Sequence, residues 1–393
     1  TTLATETIEN LCNALEDEVI GFTRELIRIQ STTHNEETIV RFICEKMKSL
    51  GYDEVIIDDF GNVVGRIGNG DTKILFDCHC DTVEVNDPDE WQADPFGGEI
   101  IDGKVYGRGA VDMKGAIAAA VYAGYAIKKL SLCKDKTIYI SCSILEEDVE
   151  GEALLYLCEK NEISPNFVVI CEPSSLKLAL GHRGRAMLTI TTEGVSSHGS
   201  SPELGVNAIY KIKNIIGRIE ELQSKLAADN TSGSVTLSRI ESKAVSLNAV
   251  PDQCKLYLDR RLEVGETETS VAKEMDALVE GTKAIWEIYE ITDKTWTGKS
   301  VSCRAFFLPW ELKEDHLLTR ASIKAVNDAT GKKATLFKWN FSTNGFASAS
   351  KMGIPTIGMG PGNPELAHCR DECCDISEIV GALKFYASIV NNL

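Results

Sequence analysis

The chain has 393 residues, 43% of them apolar and 25% charged, a composition typical of a globular protein. This length exceeds what one hydrophobic core usually supports, so we predict two domains or one domain with a large insertion. The 41 basic and 59 acidic residues give a net charge of −18, which would repel nucleic acid and anionic membranes and excludes both as partners.

Two further features of the composition bear on the compartment. The longest uncharged, mainly apolar run, residues 115–127, is too short to span a membrane. The first residues show no basic segment followed by an apolar one, so we expect no signal peptide. Thirteen cysteines without such a signal are expected to be free thiols in a cytoplasmic protein.

Helices and strands alternate over the first part of the chain. The predicted elements are, in order, helices at 5–28 and 37–50, β-rich runs at 53–67 and 73–83, a buried Ala-rich helix at 115–130, a strand at 137–145, a helix at 151–160 and a strand at 166–173. This alternation predicts an α/β fold, with a mainly parallel sheet and helices on both faces.

The pattern changes over residues 184–296, where the predicted order is β-α-β-β-α-β, as in a ferredoxin-like α+β unit. The α/β pattern then resumes with a helix at 317–331, a strand at 353–361 and a closing helix at 376–390. We therefore predict a main domain formed by residues 1–183 and 297–393, with residues 184–296 inserted as a separate domain.

The run LFDCHCDTV, residues 75–83, places a histidine between two cysteines. In a strand, His79 and Asp81 share one face while Cys78 and Cys80 share the other. That arrangement suits a metal-binding histidine whose second ring nitrogen is held by a carboxylate. Taken alone, the run would fit a core histidine paired with a neighbouring acid better than it would fit a metal ligand.

Further acidic residues follow the predicted strands. Glu146 and Glu147 end one strand in LEEDVEG, and Glu172 ends the next in ICEP. The carboxyl ends of strands form the edge where open α/β sheets place their ligand sites. A single acidic turn is usually only solvated, but a succession of them at strand ends is not commonplace.

Asp112 and His368 complete this set of candidates. Asp112 lies in GRGAVDMKG, at the position where a dinucleotide-binding loop would need its third glycine, so a nucleotide site is a weak reading. His368 follows a later apolar strand in GPGNPELAHC. Together these imidazoles and carboxylates supply what a two-zinc hydrolytic site requires, including one carboxylate to bridge and one left free.

Several motifs, in this order along nearly the whole chain, resemble the M20 family of zinc metallopeptidases and amidohydrolases. They are DCHCDTV, WQADPFGGEIIDGKVYGRGAVDMKG, EED, SSHGSSPELGVNAI and GPGNPELAH. The branch with acetylornithine deacetylase and succinyl-diaminopimelate desuccinylase is the most similar. The resemblance implies a zinc aminopeptidase-like catalytic domain, and it gives the insert the role of a lid through which the chain forms a homodimer.

The resemblance also implies two Zn²⁺ ions per chain. His79 and Glu172 would hold one ion and Glu147 and His368 the other, with Asp112 between them. In this family the peptide bond after that aspartate is often cis. Co²⁺ or Mn²⁺ could occupy the same nitrogen and oxygen ligands.

The implied reaction is hydrolysis of an amide C–N bond in a small N-acyl amino acid, a dipeptide or a related carboxylate-bearing amide. Glu146 would be the general base that takes a proton from a metal-bridging water. Asp81 would orient His79. His198 matches a family histidine that reaches a neighbouring subunit's site. The polar composition of the surrounding SSHGSSP segment would, taken alone, favour a turn residue instead.

Substrate-contacting positions of the family match Asn248 and Arg261, and Thr343 and Asn344 fall in another substrate loop. Arg261 would bind a carboxylate through two hydrogen bonds. Arg260 is the competing choice at that position, and both arginines could also be solvated strand residues. The STNG sequence of that second loop departs from the Thr and Asp of many relatives, so specificity is not carried over.

Two alternatives remain at the level of sequence. One is a non-catalytic binding or scaffold protein that retained the fold, which would predict decay of the ligands or base; all are present. The other is a nucleotide-dependent oxidoreductase, which needs a phosphate loop that the sequence lacks. Cys369, Cys373 and Cys374 lie close to His368, but their spacing is not that of a zinc-binding cysteine pair, and we interpret them as thiols rather than ligands.

Overall fold

A computed structural model describes residues 2–393. The chain divides into two compact units, each described by itself below. The first unit comprises Thr1–His182, Asp293–Val301 and Glu311–Leu393, and the second comprises Arg183–Thr292 and Ser302–Trp310. Within the described residues, no helix combines the length and apolar character that crossing a bilayer requires.

The α-helices are numbered in chain order. They are α1 Thr2–Ala14, α2 Glu16–Arg28, α3 Glu37–Ser49, α4 Gly115–Lys129, α5 Glu152–Lys160, α6 Ala208–Ala227, α7 Glu268–Val279, α8 Leu317–Thr330 and α9 Ile376–Asn392. The predicted helix at 5–28 is two helices, α1 and α2. The amide of Leu15 still donates to the carbonyl of Leu11 at 3.0 Å, so the interruption is local.

The strands are numbered in the same way. They are β1 Glu54–Ile57, β2 Val63–Gly68, β3 Thr72–His79, β4 Ile100–Ile101, β5 Lys104–Tyr106, β6 Lys136–Ser143, β7 Phe167–Ile170, β8 Leu178–His182, β9 Gly184–Glu193, β10 Ser234–Lys243, β11 Gln253–Leu262, β12 Ile285–Ile288, β13 Glu290–Lys294, β14 Ser300–Arg304, β15 Phe306–Phe307, β16 Trp310–Glu311, β17 Leu336–Trp339, β18 Thr356–Gly358 and β19 Cys373–Asp375.

The main sheet has the strand order β1-β2-β6-β3-β7-β18-β8-β16, and β17 also pairs with β8. Its central pairs β6–β3, β3–β7 and β7–β18 are parallel, whereas β1–β2 and β2–β6 are antiparallel. The central strands are almost wholly buried, as expected where helices cover a parallel sheet. The predicted fold class, α/β with a mainly parallel sheet, is confirmed.

The core of the first unit lies around α4 and α9. Every residue from Gly115 to Gly124 in α4 is buried, which its alanines and glycines allow because small side chains let neighbouring helices approach closely. In α9, the side chain of Tyr386 packs edge-on against Phe76 of β3. This packing fixes the sheet whose strand ends carry the predicted site.

The second unit has the order β9-α6-β10-β11-α7-β12, and its antiparallel sheet runs β10-β11-β9-β12. This is the ferredoxin-like arrangement. Its own core includes Ile190 of β9, Ile212 of α6 and Leu256 of β11.

The boundaries of this second unit differ from the predicted 184–296 near its end. The segment Asp293–Val301 belongs to the first unit because its side chains bond there. The indole N–H of Trp296 donates to the Gly61 carbonyl at 3.0 Å, and the Thr297 hydroxyl donates to the Asp59 carbonyl at 2.8 Å. These are long-range contacts that a local sequence pattern does not reveal.

Candidate metal-dependent active site

Three neighbouring parallel strands deliver the candidate residues to one edge of the main sheet. β3 ends at His79, β6 ends just before Glu146 and Glu147, and β7 ends just before Glu172. Because β6, β3 and β7 are adjacent and parallel, these side chains converge. His79 is 1% exposed and Glu172 is 5% exposed, so the cluster lies inside the protein.

Asp112 lies between the two histidines. It lies in the kinked segment Ala110–Lys114, whose backbone is not helical at Asp112 and Met113 and which leads directly into α4. Its Oδ1 is 2.8 Å from His79 Nε2, and its Oδ2 is 3.0 Å from His368 Nε2. The peptide bond from Asp112 to Met113 is cis, as the resemblance predicted.

The remaining carboxylates divide between the two histidines. Glu172 Oε1 is 3.1 Å from His79 Nε2, and Glu147 Oε1 is 3.1 Å from His368 Nε2. Glu146 Oε2 lies 3.5 Å from His79 Nε2. The structure thus brings all of these residues together; their division between two ions and their individual roles remain predictions.

The hydrogen bond on the far side of the His79 ring orients it. Nδ1 lies 2.9 Å from the backbone carbonyl oxygen of Asp81, which can only accept a hydrogen bond. The Nδ1 atom therefore carries a proton, and Nε2 is the nitrogen that faces the carboxylates.

The cluster contains more carboxylates than imidazoles, and this excess of negative charge favours the binding of cations. Burial by itself would lower the pKa of His79, but the charge of Glu172 and the other carboxylates raises it well above its usual range. Hydrogen bonds to Asp112 and Glu147 raise the pKa of His368 to about 10, and burial raises the pKa of Glu147 to about 8. Imidazoles facing buried carboxylates are a donor set that fits divalent cations. Two groups of these residues, His79 with Asp112 and Glu147 and His79 with Glu146 and Glu172, lie close enough to hold a metal ion.

The carboxylate of Asp81 has a different position from the predicted one. Its Oδ1 is 3.4 Å from His79 Nδ1, beyond a good hydrogen bond. Instead, Oδ1 accepts the amide N–H of Glu146 and Oδ2 accepts that of Glu147, each at 3.1 Å, while the Thr33 hydroxyl donates to Oδ2 at 2.9 Å. Since β3 ends at His79, the alternation used in the prediction does not extend to Asp81. The side chain holds the Glu146–Glu147 turn, and only its backbone carbonyl orients His79.

One residue in this region, Glu372, has little signal in the sequence. It is fully buried, pairs with Arg108 at 2.8 Å and accepts the amide N–H of Asp112 at 3.0 Å. The sole signal was an acid four positions after His368 in RDECC, which looks the same as a solvated acid.

A second buried acid that the sequence analysis missed is Glu36. Its Oε2 accepts the amide N–H of Leu145 at 3.1 Å, just before Glu146, and its Oε1 has no hydrogen-bond partner among the described residues. Burial, together with the nearby charge of Asp81, raises the pKa of Glu36 to about 8. At neutral pH this side chain is therefore mainly protonated.

We expect a Glu36→Gln substitution to stabilise the protein at alkaline pH. The folded-state pKa is raised from the ordinary value of 4.5, so the contribution of Glu36 to stability is complete below pH 4.5 and is lost as pH rises towards 8. Glutamine cannot ionise, and the variant should gain about 1–3 kcal/mol in free energy of unfolding above pH 8. Urea unfolding at pH 5 and pH 8.5 measures this, with exposed Glu37→Gln as control. Equal pH dependence in Glu36→Gln and the unmodified protein would contradict the prediction.

Thr343 and Asn344 are buried, and protein groups bind their side chains. The Asn344 amide donates to Asp77 Oδ2 and Ser143 Oγ, both at 2.9 Å, and its oxygen accepts the Gly151 amide N–H at 2.8 Å. Thr343 Oγ1 lies 2.9 Å from His182 Nδ1. Buried polar groups need partners, and here the protein supplies them. The predicted substrate-binding role of the two residues remains a prediction.

The other predicted substrate residues lie in the second unit. His198 and Asn248 are exposed, and His198 Nδ1 accepts the Ser200 amide N–H at 3.1 Å. Arg260 is buried and paired with Glu274 at 2.9 Å, which removes it as the competing choice. The roles predicted for His198, Asn248 and Arg261, and the homodimer, remain predictions.

Arg261 is partly exposed, but the carboxylate of Asp259 already binds it. Its Nε is 2.9 Å from Asp259 Oδ1 and its Nη2 is 3.0 Å from Oδ2. A substrate carboxylate would have to compete with this two-point contact.

Every cysteine has a free thiol. Cys78 and Cys80 are buried on either side of His79, and burial raises the pKa of both thiols well above the usual range. Cys369 is exposed, whereas Cys373 and Cys374 are buried. None of them belongs to the groups of residues placed to hold a metal among residues 2–393.

The chain is similar to proteins of known sequence. The model of the family described as peptidase family M20/M25/M40 matches residues 75–392. The uncharacterized protein YgeY of Escherichia coli strain K12 is 38% identical over 372 residues, covering 94% of this chain and 92% of YgeY. An acetylornithine deacetylase of Buchnera aphidicola is 30% identical over 340 residues, covering 84% and 83%. A succinyl-diaminopimelate desuccinylase of Anaplasma marginale is 24% identical over 395 residues, covering 95% and 97%.

Solved structures share the fold. The metallo-carboxypeptidase Sso-CP2 of Sulfolobus solfataricus superposes with a TM-score of 0.74 at 17% identity, covering 95% of this chain and 98% of its own. The YXEP protein of Bacillus subtilis, described as a dinuclear metal binding peptidase, has a TM-score of 0.68 at 15% identity, with coverage of 96% and 98%.

Proposed function

This chain belongs to peptidase family M20/M25/M40, and from that premise we propose that it is a two-metal hydrolase of small N-acyl amino acids or dipeptides. As a member of the family it is a hydrolase of amide or peptide bonds. The observation that carries the proposal is Asp112, whose two carboxylate oxygens each face a different histidine at 2.8 and 3.0 Å. A carboxylate so placed is the natural bridge between two cations.

The chain's own residues would hold the ions in two sets that share Asp112. His79 and Glu172 would form one, and His368 and Glu147 the other. When bound, such a cation pair lowers the pKa of a water ligand and stabilises negative charge on the carbonyl oxygen of the substrate. Zinc is the proposed metal, and Co²⁺ or Mn²⁺ would suit the same donors.

Glu146 is proposed as the general base. It is buried beside His79, and its Oε2 lies 3.5 Å from Nε2, farther than the oxygens of Asp112 at 2.8 Å and Glu172 at 3.1 Å. The Asp81 carboxylate holds its backbone, which fixes the direction in which its side chain leaves the strand end. From there it would take a proton from the attacking water and return it to the leaving amine.

The substrate class rests on the names of relatives. Those at 30% and 24% identity are named as enzymes that remove an acetyl or a succinyl group from an amino acid. We propose that this chain likewise cleaves an acyl or aminoacyl group from a carboxylate-bearing amine. The scaffold alternative is disfavoured, since every predicted ligand and the base are present and lie together.

Metal analysis combined with a substrate panel tests the proposal. We expect about two zinc ions per chain on elemental analysis of the purified protein. Hydrolysis of a pooled panel of N-acyl amino acids and dipeptides should be lost on chelation and restored by zinc. Protein that contains no metal and gains no activity on adding it would instead favour the scaffold reading.

A further inference from the structure

Glu372 is a buried carboxylate outside the proposed ligand set, yet it contacts both segments that carry the ligands Asp112 and His368. We propose that Glu372, through its pair with Arg108, is a positioning residue that sets the affinity of the chain for the cation pair. The inference rests on the proposed function. It adds a residue that would tune the metal centre without touching it.

The first contact is with the backbone around Asp112. Glu372 Oε2 accepts the amide N–H of Val111 at 2.9 Å and that of Asp112 at 3.0 Å. Two amides bound to one charged oxygen hold the peptide planes on the N-terminal side of Asp112 in place. The Asp112 carboxylate is thereby fixed at the position where it meets both histidines.

The second contact runs through Arg108 to the segment of His368. Arg108 Nη1 donates to Glu372 Oε1 at 2.8 Å and to the backbone carbonyl of Cys369 at 3.1 Å. Cys369 follows His368 directly. The backbone adds a further link, because the Gly107 amide N–H donates to the Glu372 carbonyl at 2.9 Å.

These contacts join two segments that are far apart in the chain. The spacing between Asp112 and His368, 3.0 Å from Oδ2 to Nε2, therefore depends on the Glu372–Arg108 pair. Both partners are almost fully buried, with side chains 1% and 3% exposed. A buried ion pair often adds no net stability compared with an apolar pair, so a positioning role explains it better than stability does.

The second unit contains a matched control. Glu266 Oε1 accepts the amide N–H groups of Gly233 at 2.7 Å and Glu263 at 2.8 Å, and its other oxygen pairs with buried Arg260. The chemistry is the same as at Glu372, but no proposed metal ligand is involved. A Glu266→Gln variant therefore reports the structural cost of neutralising such a carboxylate.

The test measures zinc retention by the zinc-loaded protein during titration with a competing chelator. Glu372→Gln keeps an oxygen to accept the two amides but loses the charge facing Arg108. We expect its zinc affinity to fall about 10–100-fold, the usual effect of changing a partner of a metal ligand. Glu266→Gln should keep the unmodified affinity, even where the melting temperatures of both variants fall equally.

A second variant, Arg108→Lys, keeps the proposal testable if Glu372→Gln does not fold. Arg108→Lys retains the charge but loses the planar guanidinium, whose Nη1 bonds Cys369 and Glu372 while its Nε bonds the Glu84 carbonyl at 3.2 Å, so it should weaken zinc binding less than Glu372→Gln. Unchanged affinity in both Glu372→Gln and Arg108→Lys, with a normal two-ion unmodified protein, would overturn this inference alone. An unmodified protein that takes up no zinc would overturn the proposed function and this inference with it.

Discussion

A Glu146→Gln variant is expected to lose turnover by about 10²–10⁴-fold while retaining both zinc ions, because the amide cannot accept the proton of the attacking water. Glutamine has nearly the same shape, and the backbone contact with Asp81 does not involve the side chain that changes. Turnover of the best substrate from the panel and zinc content by elemental analysis are the two measurements.

The neighbouring residue provides the comparison. Glu147 lies 3.1 Å from His368, so Glu147→Gln should lose zinc as well as activity. The two variant proteins would then differ in zinc content, although both would lose turnover. Full activity in Glu146→Gln would reject its assignment as the base, and loss of zinc from it would make it a ligand instead.

An Asp112→Asn variant is expected to lose both ions together. Its two carboxylate oxygens face separate histidines, and an amide offers one oxygen and no charge to replace them. We expect the zinc content to fall from about two ions to less than one per chain, with activity lost at all zinc concentrations that the protein tolerates. Elemental analysis after dialysis measures the first, and a zinc titration of activity measures the second.

Asp58 offers a control for damage to the fold. It is a buried aspartate of the same unit whose Oδ1 accepts the amide N–H groups of Phe60, Gly61 and Asn62, each at 3.0 Å. Asp58→Asn should cost stability yet leave the zinc content near two. Asp112→Asn protein with a full complement of zinc would show that another group bridges the ions.

The sequence predicted the candidate ligands because each one stands at an identifiable place in the chain. His79, Glu147 and Glu172 come at or just after apolar strands, and the carboxyl ends of adjacent parallel strands meet at one edge. His368 follows a later apolar strand, and Asp112 stands just before the buried helix α4. Local pattern and strand order together were enough to predict that these residues form one cluster.

Partners that reach the site from distant segments could not be predicted in this way. Glu372 and Arg108 are 264 positions apart, and Asn344 binds Asp77 across 267 positions. No periodicity links such pairs, and an isolated acid or amide in a loop looks the same whether it is solvated or buried.

The amino-acid sequence by itself determined the α/β class, the ferredoxin-like insertion and the residue types of the metal site, because these follow from local periodicity and motif spacing. The tertiary structure decided which hydrogen bonds those residues make. It assigned the Asp81 carboxylate to the backbone of Glu146 and Glu147, and it paired Thr343 with His182 and Asn344 with Asp77. A polar group buried in a fold must bind whatever partner the packing brings near, and that partner is fixed only when the whole chain has folded.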